Sequence, residues 1–195
     1  MLSGFGRAVS TELRGLETYW LTCHPDTPGK AIKAISARVS HPTPDNIRLW
    51  FDLHGETSRI VWPQWSSPTR TDGLWQSTCL ELFIAEPDGP AYQEFNISPS
   101  GAWAAYGFSG YRDGMSELRL DRAPEVRDRT PTPELCHLHA RIVAFASQQA
   151  KFGLSAVIEE TDGTKSYWAL AHPPGKPDFH APACFAALLP APSGA

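Results

Sequence analysis

The sequence predicts an all-β protein, an antiparallel β-sandwich, on three observations. Short runs in which apolar and polar residues alternate recur along the chain, and clusters of Pro, Gly, Asp and Ser separate them. The 18 prolines exclude long helices over most of the 195 residues. With 42% hydrophobic residues this length suits one core, so we expect a single domain over 1–195 whose last residues, "PAPSGA", form a frayed tail.

The predicted strands are, in order, 18–23, 31–39, 46–53, 58–62, 78–85, 92–98, 102–108, 135–145, 152–159, 166–171 and 184–189, each bounded by turn-forming residues. "ASQQAKF" after Phe145 has room for one short helical turn. In "IRLWFDL", Ile47, Leu49, Phe51 and Leu53 fall on one face, with Arg48, Trp50 and Asp52 on the other. "FGLSAVIE" likewise groups Phe152, Leu154, Ala156 and Ile158. Such alternation belongs to half-buried strands of antiparallel sheets.

Charge and cysteine usage narrow the partners. A net charge of −4 and a pI near 5.9 offer no basic surface for nucleic acid or anionic membrane, and no run approaches the ~20 apolar residues of a bilayer span. The start, "MLSGFGRAVSTELRGL", lacks the pattern of a secretory signal, so the expected location is the cytoplasm. Cys23, Cys79, Cys136 and Cys184 lie far apart without metal spacing and are expected to be reduced thiols.

The stretch "CLELFIAEPDGPAYQEFN" carries the strongest functional signal. Leu80, Leu82 and Ile84 share one face with Phe95 and Ile97 across a hairpin, which gathers Glu81, Phe83, Tyr92, Glu94 and Asn96 on the opposite face. Placing Glu81 opposite Glu94 would set two carboxylates roughly 5 Å apart. A shift of two residues places it opposite Asn96, whose amide can donate to it, and we expect that register. A ligand rich in hydroxyls, or the guanidinium of Arg112 or Arg70, would satisfy this acceptor cluster. A solvated polar face is the plainer explanation and weighs about equally, because exposed strand faces are ordinarily polar.

The segment "RTDGLWQSTCLELFIAEPDGPAYQEFNISPSGAWAAYGFSGYRDGM", together with "GLSAVIEETDGTKSYWALAHPPGKPDFH", resembles bacterial DOMON-like proteins related to family 9 carbohydrate-binding modules. The shared elements are a Trp ahead of the strand carrying Glu81, a hairpin, a Tyr-x-Glu-Phe-Asn strand and a Pro-Ser-Gly turn. The resemblance implies a β-sandwich that binds a ligand, in the wider superfamily a sugar or haem. It also implies that Trp75 stacks on a sugar. In "SYWAL" Trp168 is opposite in phase to Tyr167 and Ala169, which makes it the candidate partner, with Trp103 in "GAWAAY" as the substitute; for each Trp, packing in the sandwich core is the plainer alternative.

Haem ligation would need Met115, in a Gly-rich loop, with one of seven His, and is not expected. "HPPGKPDFH" gathers His172, Asp178 and His180 at no metal-binding spacing, so we expect a proline-pinned loop with Asp178 capping backbone N–H groups.

The resulting expectation is a non-catalytic binding module for a small carbohydrate-like ligand: a sugar, glycoside or sugar nucleotide. Trp75, Glu81, Tyr92, Glu94, Asn96, Arg112 and Trp168 form the site, with no catalytic residue, metal or cofactor. The alternative is an interaction module, as a homodimer or with a protein partner, that uses an aromatic-rich surface. A sugar-active enzyme ranks last, because two Glu on one flat sheet do not flank a glycosidic bond and no nucleophile elbow or phosphate loop occurs.

Overall fold

A computed structural model describes residues 13–86, 89–144, 146, 150–190 and 192. The expected hairpin turn at Pro87 and Asp88, most of the expected helical turn after Phe145 and most of the frayed tail lie outside the described residues.

Among the described residues twelve strands form: β1 (Tyr19–Cys23), β2 (Ile32–Thr43), β3 (Asn46–Gly55), β4 (Cys79–Ala85), β5 (Tyr92–Ile97), β6 (Trp103–Phe108), β7 (Ser116–Glu117), β8 (Glu125–Pro131), β9 (Leu135–Ile142), β10 (Lys151–Glu159), β11 (Lys165–Ala169) and β12 (Ala187–Leu188). All of their pairings are antiparallel, in the order β7-β6-β5-β4-β10-β11-β1-β2-β3-β9-β8, with β12 added beside β10.

Strand β1 makes the sandwich. Its first part, Tyr19 to Leu21, pairs with β2, and Thr22 and Cys23 pair with β11, so one strand belongs to both layers. The front sheet is then β1-β2-β3-β9-β8 and the back sheet is β7-β6-β5-β4-β10-β11. The inward sets predicted by alternation share one apolar core: Leu49, Phe51 and Leu53 from the front, and Leu80, Leu82, Ile84, Phe95, Ile97, Phe152, Leu154 and Ile158 from the back. Burying each of these larger side chains stabilises the fold by ~1.5–3 kcal/mol.

Two local expectations are corrected. Residues 58–62 do not form a strand: Thr57–Arg59 is a short 3-10 turn, and Ile60 makes a single bridge to Glu160. Strands β7 and β8 were not predicted. The "EVRDRTP" of β8 has too few apolar positions to show alternation, and it lies at the sheet edge, where its terminal Pro131 removes no interior hydrogen bond.

A second apolar layer lies outside the back sheet. Phe83, Tyr92, Tyr106, Phe108 and Val157 point outward and pack with Phe179, Cys184 and Phe185 from the segment that follows β11. Gly153 permits this close approach: a Cβ there would meet the Cys184 carbonyl oxygen at 2.9 Å and the Phe185 ring at 3.0 Å. Phe185 stacks on Phe83, the partner of Gly153 in the β4–β10 register, with ring centroids 5.7 Å apart. The back sheet is therefore covered on both faces.

Candidate functional site

Strand register assembles the site. Glu81 pairs with Asn96 on one side and Ser155 on the other, so the hairpin adopts the expected register. One step along, Phe83 pairs with Glu94, which pairs in turn with Tyr106, while Val157 pairs with Tyr167. Of these outward residues Glu81, Glu94, Tyr106, Val157 and Tyr167 line a cavity of about 360 Å³, within the range of small-molecule sites. Glu81, Glu94 and Val157 lie at the bottom, with Tyr106, Phe108 and Tyr167 around them. Trp75, Arg112, Met115, Pro177, Phe179 and His180 complete the lining.

Trp75 lies in the short 3-10 turn Leu74–Gln76, is 41% exposed, and meets the Tyr106 ring edge-on at 6.2 Å. Tyr106 is fixed in turn, since its hydroxyl donates to Asp72 at 2.5 Å and Arg70 lies over its ring at 5.5 Å. Arg112 comes from the tight turn that closes when the Asp113 N–H donates to the Gly110 carbonyl at 3.1 Å. Its φ of 52° lies in the left-handed region usually left to Gly or Asn, at a cost of about 1–3 kcal/mol. That turn aims the Arg112 backbone N–H at the Tyr92 hydroxyl, 3.2 Å away. The Tyr92 hydroxyl in turn lies 2.7 Å from His180 Nδ1. With Tyr92 donating, the His180 proton resides on Nε2, which faces Glu94 Oε2 at 3.8 Å.

The polar contacts differ from the sequence reading in their partners. Asn96 does not donate across the hairpin to Glu81. Its amide turns along its own strand to Glu94 Oε1 at 2.6 Å, and Glu81 Oε2 accepts from the Ser155 hydroxyl at 2.7 Å. Neither arginine closes on the glutamates. Arg112 gives Nε and Nη2 to Asp178 Oδ1 at 3.2 and 2.8 Å, while Arg70 pairs with Asp72 and Glu117.

The Glu81 carboxyl is consequently pushed up to about 8, first by burial and then by the neighbouring Glu94. Burial also raises Glu94, against the Asn96 hydrogen bond and the Arg112 charge. His180 is held down to about 4 by burial and by Arg112, so its ring is neutral at neutral pH.

Of the residues singled out from sequence, Trp75, Glu81, Glu94 and Arg112 converge on the cavity. Asn96 and Tyr92 stand behind them as hydrogen-bond partners of Glu94 and His180. Trp168 does not join them. It is 4% exposed in the inter-sheet core, donating its indole N–H to Ser166 at 2.9 Å. Tyr167, one residue earlier and so on the opposite face, lines the cavity instead. Trp103 also packs against the inter-sheet core.

Sequence reasoning missed Tyr106, Phe108, Val157, Tyr167 and Phe179. Tyr106 and Phe108 were within reach, since the Pro-Ser-Gly turn pairs β6 with β5 and sets them opposite Glu94 and Tyr92. His172, Asp178 and His180 do not converge. His172 donates from Nε2 to the Thr22 carbonyl at 2.8 Å, and Asp178 caps the His180 N–H at 3.2 Å as the loop reading expected. No group of three or more His, Cys, Asp or Glu among the described residues has metal-binding geometry.

Among known proteins, no family model and no curated sequence matches the chain. Solved structures do. A protein from Bacteroides uniformis ATCC 8492, proposed to bind carbohydrate, superposes with a TM-score of 0.65 at 17% identity, over 91% of this chain and 88% of its own. A family 9 carbohydrate-binding module from Caldicellulosiruptor kristjanssonii, in complex with cellotriose, superposes with a TM-score of 0.50 at 12% identity, over 84% and 77%. The fold is similar to that of family 9 carbohydrate-binding modules. At these identities the likeness concerns the fold, so the chemistry of the site has to be argued from the cavity itself.

Proposed function

We propose that the chain is a DOMON-like, non-catalytic carbohydrate-binding module that takes a sugar ring into the cavity over Glu81 and Glu94. The observation that carries this reading is a cavity combining an exposed Trp75 at its rim with two buried carboxyl groups at its floor. An indole face accepts the C–H face of a sugar, and carboxyl groups read its hydroxyls. The other aromatic side chains supply the apolar walls usual in small-molecule sites. The similarly folded family 9 module that holds cellotriose supports a sugar over other small ligands.

The arrangement supports binding rather than catalysis. Both carboxyl groups rise from one sheet face, whereas glycoside hydrolysis needs an acid and a base or nucleophile on opposite sides of the bond, about 5 or 6.5–9.5 Å apart. The test is calorimetry against mono- and disaccharides and sugar nucleotides. A sugar in the panel should bind, and Glu94→Gln should weaken it by ~1–3 kcal/mol, because a charged or acid-form hydrogen-bonding group becomes a fixed amide. Silence across the panel rejects the reading.

A specific observation favours one alternative, a homodimer or protein partner. Trp20 on the front sheet is 59% exposed beside His54, and large exposed aromatics are enriched at interfaces. Size-exclusion chromatography of wild type and Trp20→Ala decides it: a dimer that the substitution dissociates supports the interface, and a monomer rejects the homodimer.

A further inference from the structure

The charges around the cavity do not balance. Three carboxyl groups, Glu81, Glu94 and Asp178, surround one guanidinium, that of Arg112. Asp178 already holds that guanidinium through two hydrogen bonds and also accepts from the Tyr111 hydroxyl at 2.5 Å. The imidazole of His180 is neutral at neutral pH, so the two buried glutamates face the cavity with no cation of their own. Their hydrogen bonds use Glu81 Oε2 and Glu94 Oε1, which leaves for a ligand Glu81 Oε1 and Glu94 Oε2, the latter faced by His180 Nε2 only at 3.8 Å, beyond hydrogen-bond range. Glu81 avoids the cost of an unpaired buried charge by keeping its proton, and an uncharged hydroxyl does not make it ionise. An ammonium group does, since it brings three donors and a positive charge, and the surrounding Trp75, Tyr106 and Tyr167 rings favour a cation.

Resting on the carbohydrate-binding reading, we propose that the ligand is an amino sugar whose protonated amine sits against Glu81 and Glu94. Its ring carbons pack on Trp75 and its remaining hydroxyls reach His180 and Arg112. The titratable and charged groups that act on Glu81 are Glu94 from β5, Cys79 from its own strand and Arg112 from the turn after β6, while His180 of the covering segment stands beside Glu94. Among these groups Arg112 alone brings a positive charge that favours ionisation of Glu81, and it is already paired with Asp178. An arriving ammonium therefore makes Glu81 ionise and lose its proton to solvent.

Calorimetry at about pH 6.5, in two buffers of different ionisation enthalpy, tests this with glucosamine, glucose and N-acetylglucosamine. The amine of glucosamine is protonated at that pH, and the other two sugars carry no charge. Glucosamine should bind about ten- to a hundredfold tighter than either neutral sugar, the difference expected of a charge-assisted hydrogen bond, and should release about one proton. Glu81→Gln, with folding checked by circular dichroism, should abolish both the preference and the proton release. Glu94→Gln should reduce both the preference and the release without abolishing either, because the neighbouring charge that helps to keep Glu81 protonated is gone. Glucose or N-acetylglucosamine binding as tightly as glucosamine overturns the amino-sugar assignment and leaves the carbohydrate reading standing. If none of the three sugars binds, both fall.

Discussion

The two outer faces of the sandwich follow the same alternation and reach opposite electrostatic solutions. On the front sheet, Asp52 points outward and is held by Arg38 at 3.0 Å and His137 at 2.6 Å, and Trp50 stacks on His139 with ring centroids 4.7 Å apart. These contacts lie across neighbouring strands of the front sheet. On the back sheet, Glu81 and Glu94 occupy equivalent outward positions but are 2% and 5% exposed, because the segment after β11 lies over them. They receive hydrogen bonds from Ser155 and Asn96 and no cation, and burial pushes both towards the protonated form. Alternation tells which way a side chain points. Whether it meets water or a covering segment decides what its charge can do.

The largest expected effect separates the faces by burial. Phe83→Ala on the back face should lose about 3–5 kcal/mol in denaturant titration, as a fully packed aromatic does. Trp20→Ala, outward on the front face and exposed, should lose less than about 1 kcal/mol. Equal losses would break the distinction between a covered and an open face.

Next comes pH. Glu81 has a folded value near 8 against 4.5 for the free side chain, so between those values the folded state binds more protons than the unfolded state. The stability contributed by this group is complete below about 4.5 and is lost as pH rises through 8, at up to ~1.4 kcal/mol per pH unit. Glu81→Gln should flatten this fall, whereas Asp52→Asn on the front face should leave it in place. Below about 6.5 the lowered His180 works in the opposite direction, so the clean window is pH 6.5 to 8, and a wild-type stability that rises across it would contradict the buried-acid description.

How much of this was legible in the sequence depends on the range of the interaction. The inward positions of β3, β4, β5 and β10 and the pairing of Glu81 with Asn96 follow from period-two alternation and the length of one hairpin connection, both local. The displacement of Trp168 by Tyr167 was a choice of face. Alternation sets the two in opposite phase, and only the packing of β11 against β10 decides which phase looks into the core. Phe179 and His180 lay hidden in a loop read as proline-pinned, because no local pattern indicates that residues after 170 fold back over β4 and β5. The partners of Asn96 and Arg112 were misjudged for a related reason: the carboxylates of Glu94 and Asp178 competed for them at similar range.

A smaller effect concerns the rim. Trp75→Ala should change stability by less than about 1 kcal/mol, since the ring is 41% exposed, yet weaken sugar binding by ~0.5–1.5 kcal/mol through lost stacking. A stability loss near 3 kcal/mol without a separate binding effect would make Trp75 a packing residue.

Whether the covered face or the open one receives a sugar can be read from the indole N–H signals in a nitrogen–proton correlation spectrum as glucose and glucosamine are added. The Trp75 signal should shift and saturate with either sugar, further along the titration for glucose, while the Trp20 signal stays in place. Movement of the Trp20 signal with Trp75 unmoved, or no movement of either, would contradict a sugar site on the covered face.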